Sequence, residues 1–134
     1  MTSSQQHVAA VLVVEDEPLL RMSAVDLVEE AGFKALEAGN ADQALAILRS
    51  GEPICSLFTD VDMPGSMDGL MLANLVQSQW PEIQIIVASG HRRVTDEELP
   101  AGAHYFSKPY DAERIVRAIE AGSLKHSTSA GRSN

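Results

Sequence analysis

Short apolar runs without polar alternation constrain this chain most, because each is followed by a segment of helical period. Val8–Val14 (VAAVLVV) is the clearest. It is rich in β-branched residues and has no polar side to turn to water, which suits a strand buried on both faces. Glu15-Asp16-Glu17-Pro18 breaks the run; Pro18 suits the first turn of a helix, whose positive end the preceding acids favour. Leu20, Ala24, Leu27, Val28 and Ala31 then recur at helical spacing until Gly32 ends the helix.

The same cycle returns down the chain. The pattern predicts a short strand over 33–38, then a helix over 41–49 entered through Asn40 and closed by Gly51. A second buried strand follows over 54–59, and a helix over 67–79 carries Leu70, Leu72, Ala73 and Val76, with Pro81 beyond its end. Residues 83–88 read as another buried strand and 104–107 as a short one. The last helix spans 111–121, with Asp111 as N-cap and Ile115, Val116 and Ile119 inward. Between His91 and Ala103 only Thr95–Leu99 has room to be helical before Pro100 and Gly102, so a fourth helix there is short or irregular. One domain over 8–122 results, with disordered ends over 1–7 and 123–134.

Strands alternating with helices imply βαβ units and a mostly parallel five-stranded sheet with helices on both faces. Ligands of such sheets bind beyond the carboxyl ends of the strands, where strand order reverses. The net charge of −9 speaks against a nucleic-acid binder, which needs a basic stripe, and against docking on an anionic membrane. Cys55 is the single cysteine and lies in an apolar run, so it reads as a buried, inert thiol. The N-terminal MTSSQQH has neither the basic segment nor the apolar stretch of a signal peptide, and no apolar run is long enough to span a bilayer. A cytoplasmic protein is expected. Met1 and the short tail favour a stand-alone protein over a fragment.

Chemistry concentrates at the strand ends. The first strand ends in Glu15-Asp16, the third in Asp60 with Asp62 two residues on, the fourth in Ser89-Gly90 and the fifth in Lys108-Pro109. Gathered without compensation, these carboxylates would repel and raise one another's pKa. A hard divalent cation resolves this, since Mg²⁺ takes one or two carboxylates and completes its shell with water and phosphate oxygen. Lys108 offers a compact charge for phosphate oxygens, Ser89 a hydroxyl donor, and Gly90 a close backbone approach. Singly, each has an ordinary reading: Asp16 as a helix cap, Lys108 as a surface lysine. At four strand ends together, the ordinary reading needs four coincidences.

VLVVEDEP (11–18), FTDVDMPGSMDGL (58–70), VASGH (87–91) and YFSKPY (105–110) resemble the four signature blocks of response-regulator receiver domains, in the right order. The resemblance implies a flavodoxin-like (βα)5 fold, a doubly wound parallel sheet of strand order 2-1-3-4-5. It makes Asp60 the phosphoacceptor and places Mg²⁺ (or Mn²⁺) at Glu15, Asp16, Asp60 and the backbone carbonyl of Asp62, with Asp16 a direct ligand. Ser89 takes the place of the switch hydroxyl, Tyr105 of the switch aromatic and Lys108 of the phosphate-contacting lysine, joined to Pro109 by a cis peptide. It also implies a histidine kinase or histidine phosphotransfer protein as donor, a downstream protein target, and at most self-phosphorylation and self-dephosphorylation as activity.

Four departures from the family pattern bear on this reading. The acidic pair is Glu-Asp rather than Asp-Asp, the loop after Met63-Pro64 carries an extra residue, and the interval from Ser89 to Lys108 is short. Asp62 and His91, each two residues past a key position, are expected to tune the lifetime of the phosphoryl group. Asp60-Val61-Asp62 also resembles the Asp-x-Asp of haloacid-dehalogenase-type phosphatases, but that family carries the motif on its first strand and leaves Glu15-Asp16 unexplained. A flavodoxin-like cofactor carrier would suffer repulsion from Glu15-Asp16-Glu17. A degenerate receiver acting as a binding module is disfavoured by the intact set of Asp16, Asp60, Ser89 and Lys108.

Overall fold

A computed structural model of the chain describes residues 9–90 and 93–132, with side chains as far as 123. Its elements run β1 (Ala10–Val14), α1 (Pro18–Glu30), β2 (Lys34–Ala38), α2 (Ala41–Arg49), β3 (Ile54–Asp60), α3 (Gly69–Gln79), β4 (Gln84–Ser89), β5 (His104–Ser107) and α4 (Ala112–Arg132). The five strands form one sheet in the order β2-β1-β3-β4-β5, every pairing parallel. This is the flavodoxin-like arrangement that the signature blocks imply.

The uninterrupted apolar runs are the strands with helices on both faces. Every described residue of β1 and β3 is buried. Leu12, Val14, Leu57, Ile85 and Val87 pack on one side with Leu45, Leu48, Leu72 and Val76 of α2 and α3. Val11, Val13, Phe58 and Ile86 pack on the other with Val28 of α1 and Ile115 and Ile119 of α4. Leu57, Ile86, Ile115 and Ile119 are fully buried, each contributing about 1.5–3 kcal/mol through apolar area withdrawn from water.

Short polar side chains set the helix starts. Asn40 accepts a hydrogen bond from Gln43 N–H (2.9 Å), Asp68 from Met71 N–H (2.9 Å) and Asp111 from Glu113 N–H (3.0 Å). At α1 the cap is Glu17, which accepts from Leu19 N–H at 2.9 Å. The capping role open to Asp16 is therefore filled by its neighbour.

Three expectations need correction or refinement. Leu20 is exposed, because it sits in the first turn of α1 beside the loop after β1 rather than beside the strand. Among the described residues between β4 and β5 the one helical piece is a 3-10 turn at Asp96–Glu98, as the short interval and Pro100 foreshadow; Thr95 and Glu98 close it by mutual bonds. The last helix extends past its expected end at 121 and runs through Gly122 to Arg132. Gly122 is a packing residue: a Cβ there would lie 2.8 Å from Gln84 Cβ and 3.1 Å from Ser56 Oγ. Its backbone cost inside a helix, about 1 kcal/mol, is accepted where α4 crosses the sheet closely.

Candidate functional site

The parallel sheet brings the ends of β1, β3, β4 and β5 to one edge. Glu15 leaves β1 with its N–H bonded to Ala38 C=O at 3.1 Å. Asp60 ends β3, the central strand, and is buried, as is Glu15. Glu15, Asp16 and Asp60 each offer a carboxylate oxygen within 4.8 Å of the others. Lys108, just past β5, reaches across the edge: its Nζ lies 3.0 Å from Asp60 Oδ1 and 3.2 Å from Glu15 Oε1. Its backbone is fixed by an N–H bond to Ser89 C=O at 2.9 Å, and the peptide to Pro109 is cis.

Burial drives the electrostatics. Loss of water raises the Asp60 carboxyl above its ordinary range; Lys108 pulls back and Asp62 and Asp16 push further up. Glu15 is likewise raised by burial, against the Glu17 N–H, with Asp60 adding to the rise. For Lys108 burial works to lower the pKa, but bonding and attraction to Asp60, with attraction to Glu15, outweigh it and leave the ammonium raised. One lysine thus meets two partly dehydrated carboxylates, those of Asp60 and Glu15.

The donor set fits a hard divalent cation. The oxygens are carboxylate, the three groups are close enough to share one ion, and Asp62 Oδ2 is buried without a hydrogen-bond partner. Such an orphaned oxygen costs free energy that an added ligand or its bound water relieves.

Ser89 is buried at the end of β4, beside Ala88, which pairs with Asp60. Tyr105 is not part of the carboxylate cluster. It pairs with Val87 one step below the edge and is half buried against the α2–α3 side of the core. Gly90 lies in van der Waals contact with the Lys108 stem, where a Cβ would meet Lys108 Cβ at 3.4 Å. His91 lies outside the described residues. Arg21 bonds to Glu37 and to the Glu15 carbonyl.

Two neighbours escaped the sequence reading. Tyr110 stands edge-on to Phe58 with ring centroids 5.7 Å apart, and burial raises its phenol. Phe58 is two residues before Asp60, so this ring pair props the strand end; the aromatic after Lys108-Pro109 was the available signal. Gly69 opens α3 directly on the backbone of Asp60, where a Cβ would collide with the Asp60 carbonyl oxygen. Only its place in the DGL block hinted at it.

With this geometry in hand, likeness to known proteins is informative. The family described as the response regulator receiver domain matches residues 11–120. The nitrogen assimilation regulatory protein NtrX of Azorhizobium caulinodans is 33% identical over 118 residues, 82% of this chain and 26% of that protein. The sensor protein TorS of Escherichia coli is 35% identical over 88 residues, 66% of this chain and 9% of TorS. Among solved structures, the receiver domain of NtrX from Brucella abortus aligns with a TM-score of 0.75 at 30% identity, covering 85% of this chain and 98% of that one. The chain spans about a quarter of the length of the NtrX-type relatives it matches. Because the match runs from β1 into α4 on this fold, the chain belongs to the response regulator receiver domains of two-component signalling.

Proposed function

We propose that Asp60 accepts a phosphoryl group from a phosphohistidine on a histidine kinase or histidine phosphotransfer protein, and that the new charge changes which protein the chain binds. The observation that carries this reading is the placement of Asp60: buried, 3.0 Å from Lys108 Nζ, and beside Glu15 and Asp16. A carboxylate oxygen of Asp60 attacks phosphorus, the bond from phosphorus to the donor imidazole breaks, and the imidazole leaves with the electron pair. Lys108 follows the new phosphoryl oxygens, exchanging its carboxylate contact for them. Ser89 donates its hydroxyl to another oxygen, and Tyr105 repacks toward the space Ser89 vacates, which converts a local charge into a surface change.

Receiver domains bind Mg²⁺ at an acidic site, and here Glu15, Asp16, Asp60 and the Asp62 carbonyl would hold it. When bound, Mg²⁺ (or Mn²⁺) screens the repulsion between an anionic nucleophile and an anionic donor. Asp62 and His91 set the lifetime of the acyl phosphate, and unchanged dephosphorylation in an Asp62→Asn, His91→Ala double variant would refute that role. A net charge of −9 and relatives that include a sensor protein favour protein partners over nucleic acid or membrane. Among the described residues no helix is long and apolar enough to cross a membrane.

The test is a titration with Mg²⁺ and beryllofluoride, a non-reactive phosphoryl mimic, followed by amide NMR shifts. Saturable shifts at Asp60, Ser89 and Tyr105 that need both components, and vanish in Asp60→Asn, are expected. Unshifted spectra in the wild type would refute the reading.

A further inference from the structure

We infer that Arg21 is a positioning residue for the acidic pair, clamping the turn that carries Glu15 and Asp16 to the end of β2. Arg21 lies one turn into α1, and side chains on a helix lean toward its N-terminus. Its guanidinium thereby returns to the β1–α1 turn, where Nη1 donates to the Glu15 carbonyl at 2.8 Å and Nε to Glu37 Oε1 at 3.1 Å. Glu37 belongs to β2 and pairs with Val13, so one side chain joins α1, the exit of β1 and the end of β2.

The surroundings leave room for this group. A Cβ at Gly39 would stand 3.2 Å from Arg21 Nη1, so any larger residue there would crowd the guanidinium. Glu15 is then held at both ends of its peptide unit: its N–H by Ala38 C=O and its C=O by Arg21. That fixes the direction in which Asp16 leaves the strand.

The turn needs holding because Glu15 and Asp16 are consecutive acids whose carboxylates stand beside that of Asp60. Lys108 neutralises the front of the cluster; Arg21 supplies positive charge and a rigid brace behind it. The planar fork of arginine reaches a carbonyl and a carboxylate together, which a lysine ammonium does not reproduce. Residues behind metal ligands typically change affinity by 10–100-fold when lost. The consequence for Mg²⁺ rests on the metal reading given above; the clamp itself does not.

The experiment therefore has a metal-free arm and a metal arm, on the full chain. Without metal, hydrogen exchange at the Glu15 and Glu17 amides should be about tenfold faster in Arg21→Met than in the wild type, with exchange in β3 and β4 unchanged. Calorimetric Mg²⁺ titration should show affinity about tenfold weaker in Arg21→Met and only partly restored in Arg21→Lys. Unchanged amide exchange overturns the clamp; faster exchange with Mg²⁺ affinity within twofold of wild type overturns the positioning of the acidic pair. Should Arg21→Met not fold, Glu37→Gln serves the same comparison, with an expected loss of about threefold on both readouts and none overturning the inference. A wild type that binds no Mg²⁺ would sink the metal reading alone, leaving amide exchange to decide the clamp.

Discussion

Gly69 sits against Asp60 so closely that a Cβ on it would fall 1.8 Å from the Asp60 carbonyl oxygen. The Gly69 N–H also donates to Val61 C=O at 2.9 Å, which locks the start of α3 onto the exit of β3. Gly69→Ala must push the helix off the strand end that carries the reactive carboxylate. A loss of about 3 kcal/mol in stability is expected from overpacking against backbone, read by urea unfolding, together with weaker Mg²⁺ binding. An alanine variant of wild-type stability would contradict the packing described here.

The crowded carboxylates should make the metal-free fold sensitive to pH. Asp60 and Glu15 both have carboxyls raised by burial. A carboxyl raised in the folded state binds protons more readily there than in the unfolded chain, so its ionised form costs stability. That cost is absent at low pH and grows as pH rises from the ordinary carboxylate range through the raised folded value. Asp60→Asn should therefore melt higher than wild type at pH 7 without metal, with the gap closing toward pH 4. A variant less stable than wild type at pH 7 would contradict this.

Cys55 lies in β3 on the face of the sheet covered by α1 and α4, where burial raises its thiol. It should resist aromatic disulfide reagents in native buffer at pH 8 and react at once in denaturant. Rapid stoichiometric labelling of the folded protein would show the strand to be open.

Much of this was legible in the residues. VAAVLVV and ICSLFT announce strands covered on both faces because only such strands can dispense with polar alternation, and the strand ends named Glu15, Asp16, Asp60 and Lys108, which the sheet brings to one edge. Pro100, in a short interval, foretold that no full helix would precede β5. What stayed hidden depends on segments meeting in space. The fit of Gly69 on Asp60 and of Gly122 on Gln84 cannot be read from a glycine's neighbours in sequence, and the last helix was expected to end at 121 for that reason. The role of Arg21 is not written in its neighbours either, because its partners are a backbone atom, the Glu15 carbonyl, and Glu37 of another element. Leu20 followed helical spacing but met no second layer, since periodicity reports a face and not where along the helix the core ends.

The central claim, that Asp60 is the phosphoacceptor, is tested most directly by the intact mass of the protein after incubation with a small acyl phosphate and Mg²⁺, beside Asp60→Asn. One phosphoryl adduct that requires Mg²⁺ and is absent from the variant is the predicted result. An adduct that persists in Asp60→Asn, or none on the wild type where another receiver domain is labelled under the same conditions, would contradict it.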